Sequence, residues 1–453
     1  MASLTTSLRK RVTGRILKSL AVFGSVEVMS MACNVIRTKL IALWVGAAGV
    51  GLMGLFSTTL DMLSQLTQLS LRTVTVREIA AAPSDEKRRS LSRSVALYGA
   101  LMAAVGVAVT VLLAPLLSYL TFDSLGYTWA FAAIAIAVAA NAYVSVESSI
   151  LQGHNMLKRI AAASFIGVPA SLAVAIPMIY YWRIHSIIPI ILTYVCIMAI
   201  VMWCLRIRSN APCPPIKGKE RRRLWSGFAR MGFYLSVASV FSLGASYLLM
   251  SFLNHHAGTD EMGLYQAGYS LSVRYIGIIF PAMAMEYYPR LSGVDSKWRT
   301  TVMMSRQTSV SIFVIAPCAM AMMLLAPWIV ELLYSSHFIA AVPMILFAAV
   351  GLPMHAWAWA MGFVLLARGN GRIYLVTEIL SAAIGLIANM AGYTLGGLTG
   401  LGLSFIIWYA ADCLIESVAL RRYYSVNTAP KVVLSVLGSS LILGILSAVI
   451  FYW

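Results

Sequence analysis

The chain has 453 residues, of which 60% are hydrophobic and 11% charged, where a soluble protein carries about 25% charged residues. Apolar runs of about twenty residues, enough to cross a bilayer as a helix, recur from end to end, which excludes a soluble globular domain. The formal charge of +18 is confined largely to loops and flanks, so it marks membrane topology and excludes nucleic acid as a partner.

In chain order the apolar runs predict spans over 21–45, 50–78, 91–117, 127–151, 160–182, 186–205, 226–254, 262–289, 302–327, 339–366, 373–394 and 398–420, with a last apolar run over 431–453. The chain is therefore read as an all-α polytopic membrane protein. The basic tail enters the first span without a small-residue cleavage site, so it reads as a retained helix and not a signal peptide. With the N-terminus in the cytoplasm, the tail, alternate loops and their flanks hold 30 of the 34 Lys and Arg, including "SLRKR", "DEKRR", "MLKR", "KGKERRR" and "SKWR". The opposite side keeps Arg183, and the positive-inside rule then sets the orientation.

Segment 207–224, rich in charge and proline, reads as a cytoplasmic linker. Six spans precede it and six follow. Residues 1–206 are expected to form an N-terminal six-helix lobe and 225–424 a C-terminal one, with 425–453 an additional hydrophobic helix. An even number of spans per half makes the halves parallel repeats, as in some transporters. A faint echo supports this: "GAAGVGLMGLF" (46–56) leads into span two and "GTDEMGLYQAGY" (258–269) into span eight.

Three cations are left inside the spans: Arg37, Lys39 and Arg274. A charge at the centre of a spanning helix costs about 2.5–3.5 kcal/mol on insertion scales, so each needs a partner or a wet cavity. Span two carries Asp61, Gln65, Gln68 and Arg72 at spacings of 4, 3 and 4, a narrow stripe on one helix face. Glu27, Ser30, Asn34 and Arg37 cluster on span one, while Lys39 points elsewhere. Gln266, Ser270 and Arg274 follow four-residue spacing on span eight, among Tyr265, Tyr269 and Tyr275. Asn141, Ser145, Ser148 and Gln152 stripe span four, and Glu378 and Asn389 lie on span eleven.

Plainer readings compete. Arg72 can belong to the cytoplasmic flank, Lys39 can snorkel to outer headgroups, and the span-four stripe suits helix packing. Glu147 and Asp412 read as partners for basic residues near the inner boundary. An ion pair with Glu27, Asp61 or Glu378 is the structural alternative for Arg37 and Arg274. The functional alternative is an electropositive cavity: arginine binds phosphate through two parallel charge-assisted hydrogen bonds, so the expected cargo carries a phosphate or pyrophosphate headgroup. Asp61 and Glu378 are the candidate coupling carboxylates.

No enzyme constellation is found, and neither a cofactor nor a metal is expected. There is no P-loop, and the six histidines and six cysteines lack metal-ligand spacing. Cys33, Cys196, Cys204, Cys318 and Cys413 read as packing residues, and Cys213 as a free thiol in a reducing compartment. His355 reads as a packed span residue or a cavity lining.

The segment 38–80, "TKLIALWVGAAGVGLMGLFSTTLDMLSQLTQLSLRTVTVREIA", and the segment 263–292, "GLYQAGYSLSVRYIGIIFPAMAMEYYPRLS", resemble the oligosaccharide flippases of the multidrug/oligosaccharidyl-lipid/polysaccharide exporter superfamily. The likeness is greatest to the branch serving enterobacterial common antigen and O-antigen, hence lipopolysaccharide and surface polysaccharide biosynthesis. It implies a V-shaped transporter of about twelve core helices. Such a protein flips undecaprenyl-pyrophosphate-linked glycan from the cytoplasmic to the periplasmic leaflet by alternating access. Membrane lipid and glycan polymerase or chain-length proteins are the implied partners. The family's cavity cations on helices one and eight match Lys39, Arg37 and Arg274. Two alternatives stay open: an ion-coupled drug/cation antiporter of the same fold, which Arg37 and Arg274 disfavour, and a non-transporting scaffold of a glycan assembly complex.

Overall fold

The computed structural model describes residues 26, 28–68, 75, 76, 78, 79, 82, 84–207, 218–292, 296–368 and 370–452. Glu27, Arg72, Cys213 and residues 208–217 of the expected linker lie outside these. Among the described residues every regular element is a helix. We number them α1 (28–44), α2 (Ala47–Gln68), α3 (Asp85–Phe122), α4 (Thr128–Gly153), α5 (Leu157–Trp182) and α6 (Ile187–Leu205). There follow α7 (Gly218–Tyr269), α8 (Ile279–Ser292), α9 (Lys297–Leu333), α10 (Val342–Val350), α11 (Leu352–Ala367), α12 (Gly371–Tyr424) and α13 (Pro430–Tyr452).

Eight described stretches are long and apolar enough to cross a membrane, or nine with the pair Ser336–Val350 and Leu352–Ala367. Three of them hold two helices joined across a break, one of these at Gly258 within α7. Leu157–Leu205 reverses at Arg183 (φ 48°), so α5 packs on α6. α12 is broken at Gly396 and Gly397, and its halves meet where the Ser404 hydroxyl donates to Asn389 and Trp408 donates to Ser381. This is a multi-pass membrane protein, and its large exposed apolar side chains are the surface that lipid covers.

Two expected spans are not plain helices. The run 339–366 bends by 50° between α10 and α11, because Pro353 near the start of α11 has no N–H to extend the ladder of α10. The run 262–289 is assembled from the end of α7, a π-helical turn at Ser270–Arg274, a 3-10 turn at Ile276–Ile278, and α8.

The chain forms two compact units. The first comprises the residues up to Trp44 with 63–118 and 125–233. Ile79, Leu91, Val95, Tyr98, Val146 and Ile150 make one core cluster in it. The second comprises 234–453 together with Val45–Met62 and Tyr119–Ser124. One cluster in it joins α8, α9, α11 and α12 through Tyr287, Met304, Met361, Leu365 and Leu420, and α13 packs through Val432 and Val436 on Ile312 of α9.

The two early segments are tied firmly into the second unit. Thr121 Oγ1 lies 2.6 Å from the Tyr247 hydroxyl, and Asn254 Nδ2 donates to the Thr121 carbonyl at 2.7 Å. The His255 ring approaches the Leu120 carbonyl at 2.7 Å and Asp123 Oδ2 at 2.8 Å.

Val45–Met62 is held by a crossing of the two echo segments. Gly46 and Gly258, both at positive φ (91° and 86°), turn the chain where a side chain would be strained. Five residues on, the backbones touch at Gly51 and Gly263: a Cβ on Gly263 would sit 1.9 Å from the Ala47 carbonyl oxygen. The Ala48 N–H donates to Asp260 at 2.8 Å, across a separation of 212 residues. Gly51 and Gly263, Gly54 and Gln266, and Ala48 and Asp260 are contacting pairs, all at that same offset. Contacts pairing one position with its own counterpart are the mark of a two-fold relation, here local to this crossing.

Candidate functional site

The second unit builds one polar site from α2 and the irregular stretch after α7. Regular helix gives way at Ser270, where the Tyr275 N–H reaches back five residues to the Ser270 carbonyl at 2.9 Å. Single π turns of this kind are frequent at functional sites. A hydroxyl chain holds the turn: the buried Tyr334 hydrogen-bonds both Ser270 and Tyr275. The turn delivers Arg274 with an exposed side chain. Asp61, also exposed, lies close enough to Arg274 for their charges to interact. Gln266 stands against Gly54, and Tyr265 stacks on Tyr269 with centroids 5.8 Å apart. Thus Asp61, Gln266, Ser270 and Arg274, read from two separate stripes, belong to one group of the second unit.

In the first unit, Arg37 is half-buried on α1. Its guanidinium donates to Asn34, one turn earlier, and lies 5.0 Å from the ring centroid of Tyr194 on α6. That cation–π contact holds the charge on an aromatic face and leaves in-plane N–H groups for an anion. Lys39 is half-buried on the same helix. Gln65 is exposed and Gln68 half-buried on the last turns of α2, where Ser64 accepts from Asn141 of α4 at 3.1 Å. Arg72 lies outside the described residues.

Glu378 sits elsewhere in the second unit. Both halves of α12 and part of α11 enclose a cavity of about 230 Å³, lined by Glu378, Asp412, Glu416, Tyr374, Ser381 and His355 among others. Asp412 was expected to partner a basic residue; among the described residues that line its cavity there is no Lys or Arg. It shares the cavity with Glu416, one turn on along the same half of α12, and with Glu378, which the fold-back at Gly396–Gly397 brings alongside. Glu147, by contrast, lies within electrostatic reach of Arg206. Glu416 was missed in the sequence. Its signal was the i,i+4 spacing of Asp412 and Glu416, which puts both carboxylates on one helix face.

Residues 16–294 match the family model described as polysaccharide biosynthesis protein. The chain is 22% identical over 202 residues to the lipid III flippases of Escherichia coli (strain K12) and Shigella flexneri. The match takes in 44% of this chain and 48% of theirs, so the chain spans about half the length of the curated relatives it matches. A solved inward-facing multidrug resistance MATE family transporter of the MOP superfamily superposes with a TM-score of 0.73. Its identity is 14%, over 87% of this chain and 94% of that one. The lipid II flippase MurJ, in an inward closed conformation, gives 0.67 at 13% identity, over 95% and 92%. With one family model matching more than half of its length, the chain belongs to the polysaccharide biosynthesis protein family, on the fold of the MOP-superfamily transporters.

Proposed function

We propose that this protein is a flippase that moves undecaprenyl-pyrophosphate-linked oligosaccharide from the cytoplasmic to the periplasmic leaflet by alternating access. It acts in the bacterial inner membrane with its N-terminus in the cytoplasm. It serves surface polysaccharides of the O-antigen or enterobacterial common antigen kind, with glycan polymerase or chain-length proteins as candidate partners. The observation that carries this reading is Arg274, an exposed cation that a π turn holds within a spanning stretch beside Asp61. An arginine kept there has a use that repays its insertion cost, and its planar fork suits pyrophosphate. In the first unit Arg37 and Lys39 supply positive charge and Gln65 and Gln68 offer neutral hydrogen bonds to sugar hydroxyls; in the second unit Gln266 does so, while buried Ser270 supports the turn that carries Arg274.

Family membership and the names of the relatives, lipid III and lipid II flippases, support the same cargo class. The headgroup crosses in a wet, protein-lined path while the prenyl chain stays in lipid, so neither part enters a medium that excludes it.

The test is flipping of a lipid-pyrophosphate-linked oligosaccharide in proteoliposomes. Protein-dependent flipping that the Arg37→Ala/Arg274→Ala double variant loses supports both the cargo and the cationic site. Well-folded wild-type protein that flips nothing, with or without ion gradients, refutes the reading. A second reading, antiport of an organic cation, is favoured by the acidic, aromatic-walled cavity of the second unit. Uptake of a fluorescent organic cation by the same vesicles separates the two.

A further inference from the structure

Helix α3 stops at Phe122, and Asp123 follows it in the left-handed region (φ 49°), its N–H returning to the Tyr119 carbonyl at 3.0 Å. That position is ordinarily glycine or asparagine. A carboxylate there adds negative charge to the negative end of the helix dipole, where the last carbonyls have no partners within the helix. Such an end calls for a cation, and α7 supplies one.

Tyr247, Ser251, Asn254 and His255 lie on one face of α7, at spacings of 4, 3 and 1. All four grip the end of α3. The Tyr247 hydroxyl meets Thr121 Oγ1 at 2.6 Å, Asn254 Nδ2 donates to the Thr121 carbonyl at 2.7 Å, and the Ser251 hydroxyl donates to the Leu120 carbonyl. His255 places Nε2 2.7 Å from the same Leu120 carbonyl and Nδ1 2.8 Å from Asp123 Oδ2. Both of these partners only accept. A neutral imidazole has one N–H, and its other nitrogen would turn a lone pair on an acceptor. Only the imidazolium donates at both.

The His255 side chain is 27% exposed and that of Asp123 71%, so protons from solvent reach the pair. Nearby titratable groups are engaged otherwise. His256 turns back to the Phe252 carbonyl at 3.0 Å, Asp260 takes the Ala48 N–H of α2, and Glu261 hydrogen-bonds Tyr393 of α12. Asp123 is the charge that faces His255. The gripped segment, Tyr119–Ser124, belongs to the second unit, while the chain on either side of it, 63–118 and 125–233, belongs to the first.

We propose that His255 is a proton-operated clasp on the end of α3. As an imidazolium it pins Leu120 and Asp123 to α7. When it gives up one ring proton to solvent, one of its two hydrogen bonds becomes a repulsion and Tyr119–Ser124 is released. The clasp is closed in acid and opens as the pH rises through the histidine range. It goes beyond the flippase reading and does not rest on it.

Two readouts on the full chain in lipid nanodiscs test it. Hydrogen–deuterium exchange, corrected for the intrinsic pH dependence of amide exchange, follows the peptide covering residues 119–124 at about pH 6 and about pH 8.5, either side of the histidine range. Protection should fall about tenfold at the higher pH, the weight of one charge-assisted hydrogen bond, and should ignore pH in His255→Gln. Asp123→Asn, at an exposed position, serves should that variant fail to fold, and should shrink the pH response. Nitrogen NMR of histidine-labelled protein follows the ring, whose signals are those that move in Asp123→Asn. Both ring nitrogens should carry protons in the protected state, and the second proton should leave at the pH at which the segment opens. Protection that ignores pH in wild type, a pH response shared equally by the variants, or a bare ring nitrogen in the protected state overturns the clasp. None of these results depends on flipping, so the flippase reading is judged separately.

Discussion

Gly263→Ala puts a methyl group where the Ala47 carbonyl oxygen lies 1.9 Å from the Cβ position, with the carbonyl carbon at 2.5 Å and the Ala47 Cα at 3.1 Å. All three obstacles are backbone, so no rotamer change relieves them. An ordinary C···O contact is about 3.3–3.6 Å, and the start of α2 therefore has to retreat by roughly 1.5 Å. Overpacking of this kind costs about 1–3 kcal/mol. The retreat also breaks the 2.8 Å bond from Ala48 N to the Asp260 carboxylate, and a hydrogen bond to a charged group contributes about 1.5–3 kcal/mol. Alanine regains about 1 kcal/mol of helix propensity, leaving a net loss of about 1.5–5 kcal/mol. Gly268→Ala is the control: its nearest obstacle is the Met344 sulfur at 2.8 Å, part of a flexible side chain. Thermal unfolding in detergent, followed by tryptophan fluorescence, should show a fall of several degrees for Gly263→Ala and little change for Gly268→Ala. Equal melting of Gly263→Ala and wild type would refute the close crossing.

Arg274→Ala should abolish flipping at normal protein level, and Arg274→Lys should reduce it about tenfold, since a lysine keeps the charge but loses the bidentate fork; normal rates for both rule out a pyrophosphate clamp. Tyr194→Leu removes the ring beneath Arg37, a contact of about 0.5–2 kcal/mol, and should raise the cargo concentration for half-maximal flipping with a smaller effect on the maximal rate. His154, in the turn between α4 and α5, is held below the usual imidazole range by burial, with Arg88 adding to the effect. Its protonation therefore favours the unfolded chain, and stability should fall as the pH drops below about 6.5. NMR titration of the ring checks this, and Ser92, 3.1 Å from its Nε2, should shift it further when changed to Ala.

Hydropathy exposed the order of helices well, because lipid demands long apolar runs whatever the tertiary arrangement. The echo of Gly46–Gly51 in Gly258–Gly263 was visible as well. Its meaning was hidden: both glycine pairs serve one crossing, and contact between residues 212 apart leaves no local trace. Asp61 and Arg274 could each be singled out as costly in lipid, and Asp61 was one of three carboxylates weighed as a partner; which of the three lies near Arg274 is set by the fold around the π turn at Ser270. The four-residue spacing of Gln266, Ser270 and Arg274 treated that stretch as a straight helix. Asp412 was read as a partner for a basic residue, and Glu416 was passed over, for the reason that makes them notable. Near the end of an apolar run a carboxylate usually meets a basic flank, and the chain reversal at Gly396–Gly397 aims these two inward instead.

The 212-residue reach between Ala48 and Asp260 also sets a clock. A ribosome adding about 5–20 residues per second makes the first half of α2 some 10–40 s before the chain that will cover it. Until then Gly51 and Gly54 present a bare backbone ridge with no partner. The nascent protein must therefore be inserted, yet left unfinished, over that interval. An insertase or chaperone that shields small-residue helix faces is the natural guardian of such a delay, and slowed translation between residues 54 and 260 should cost this protein more than slowed translation after them.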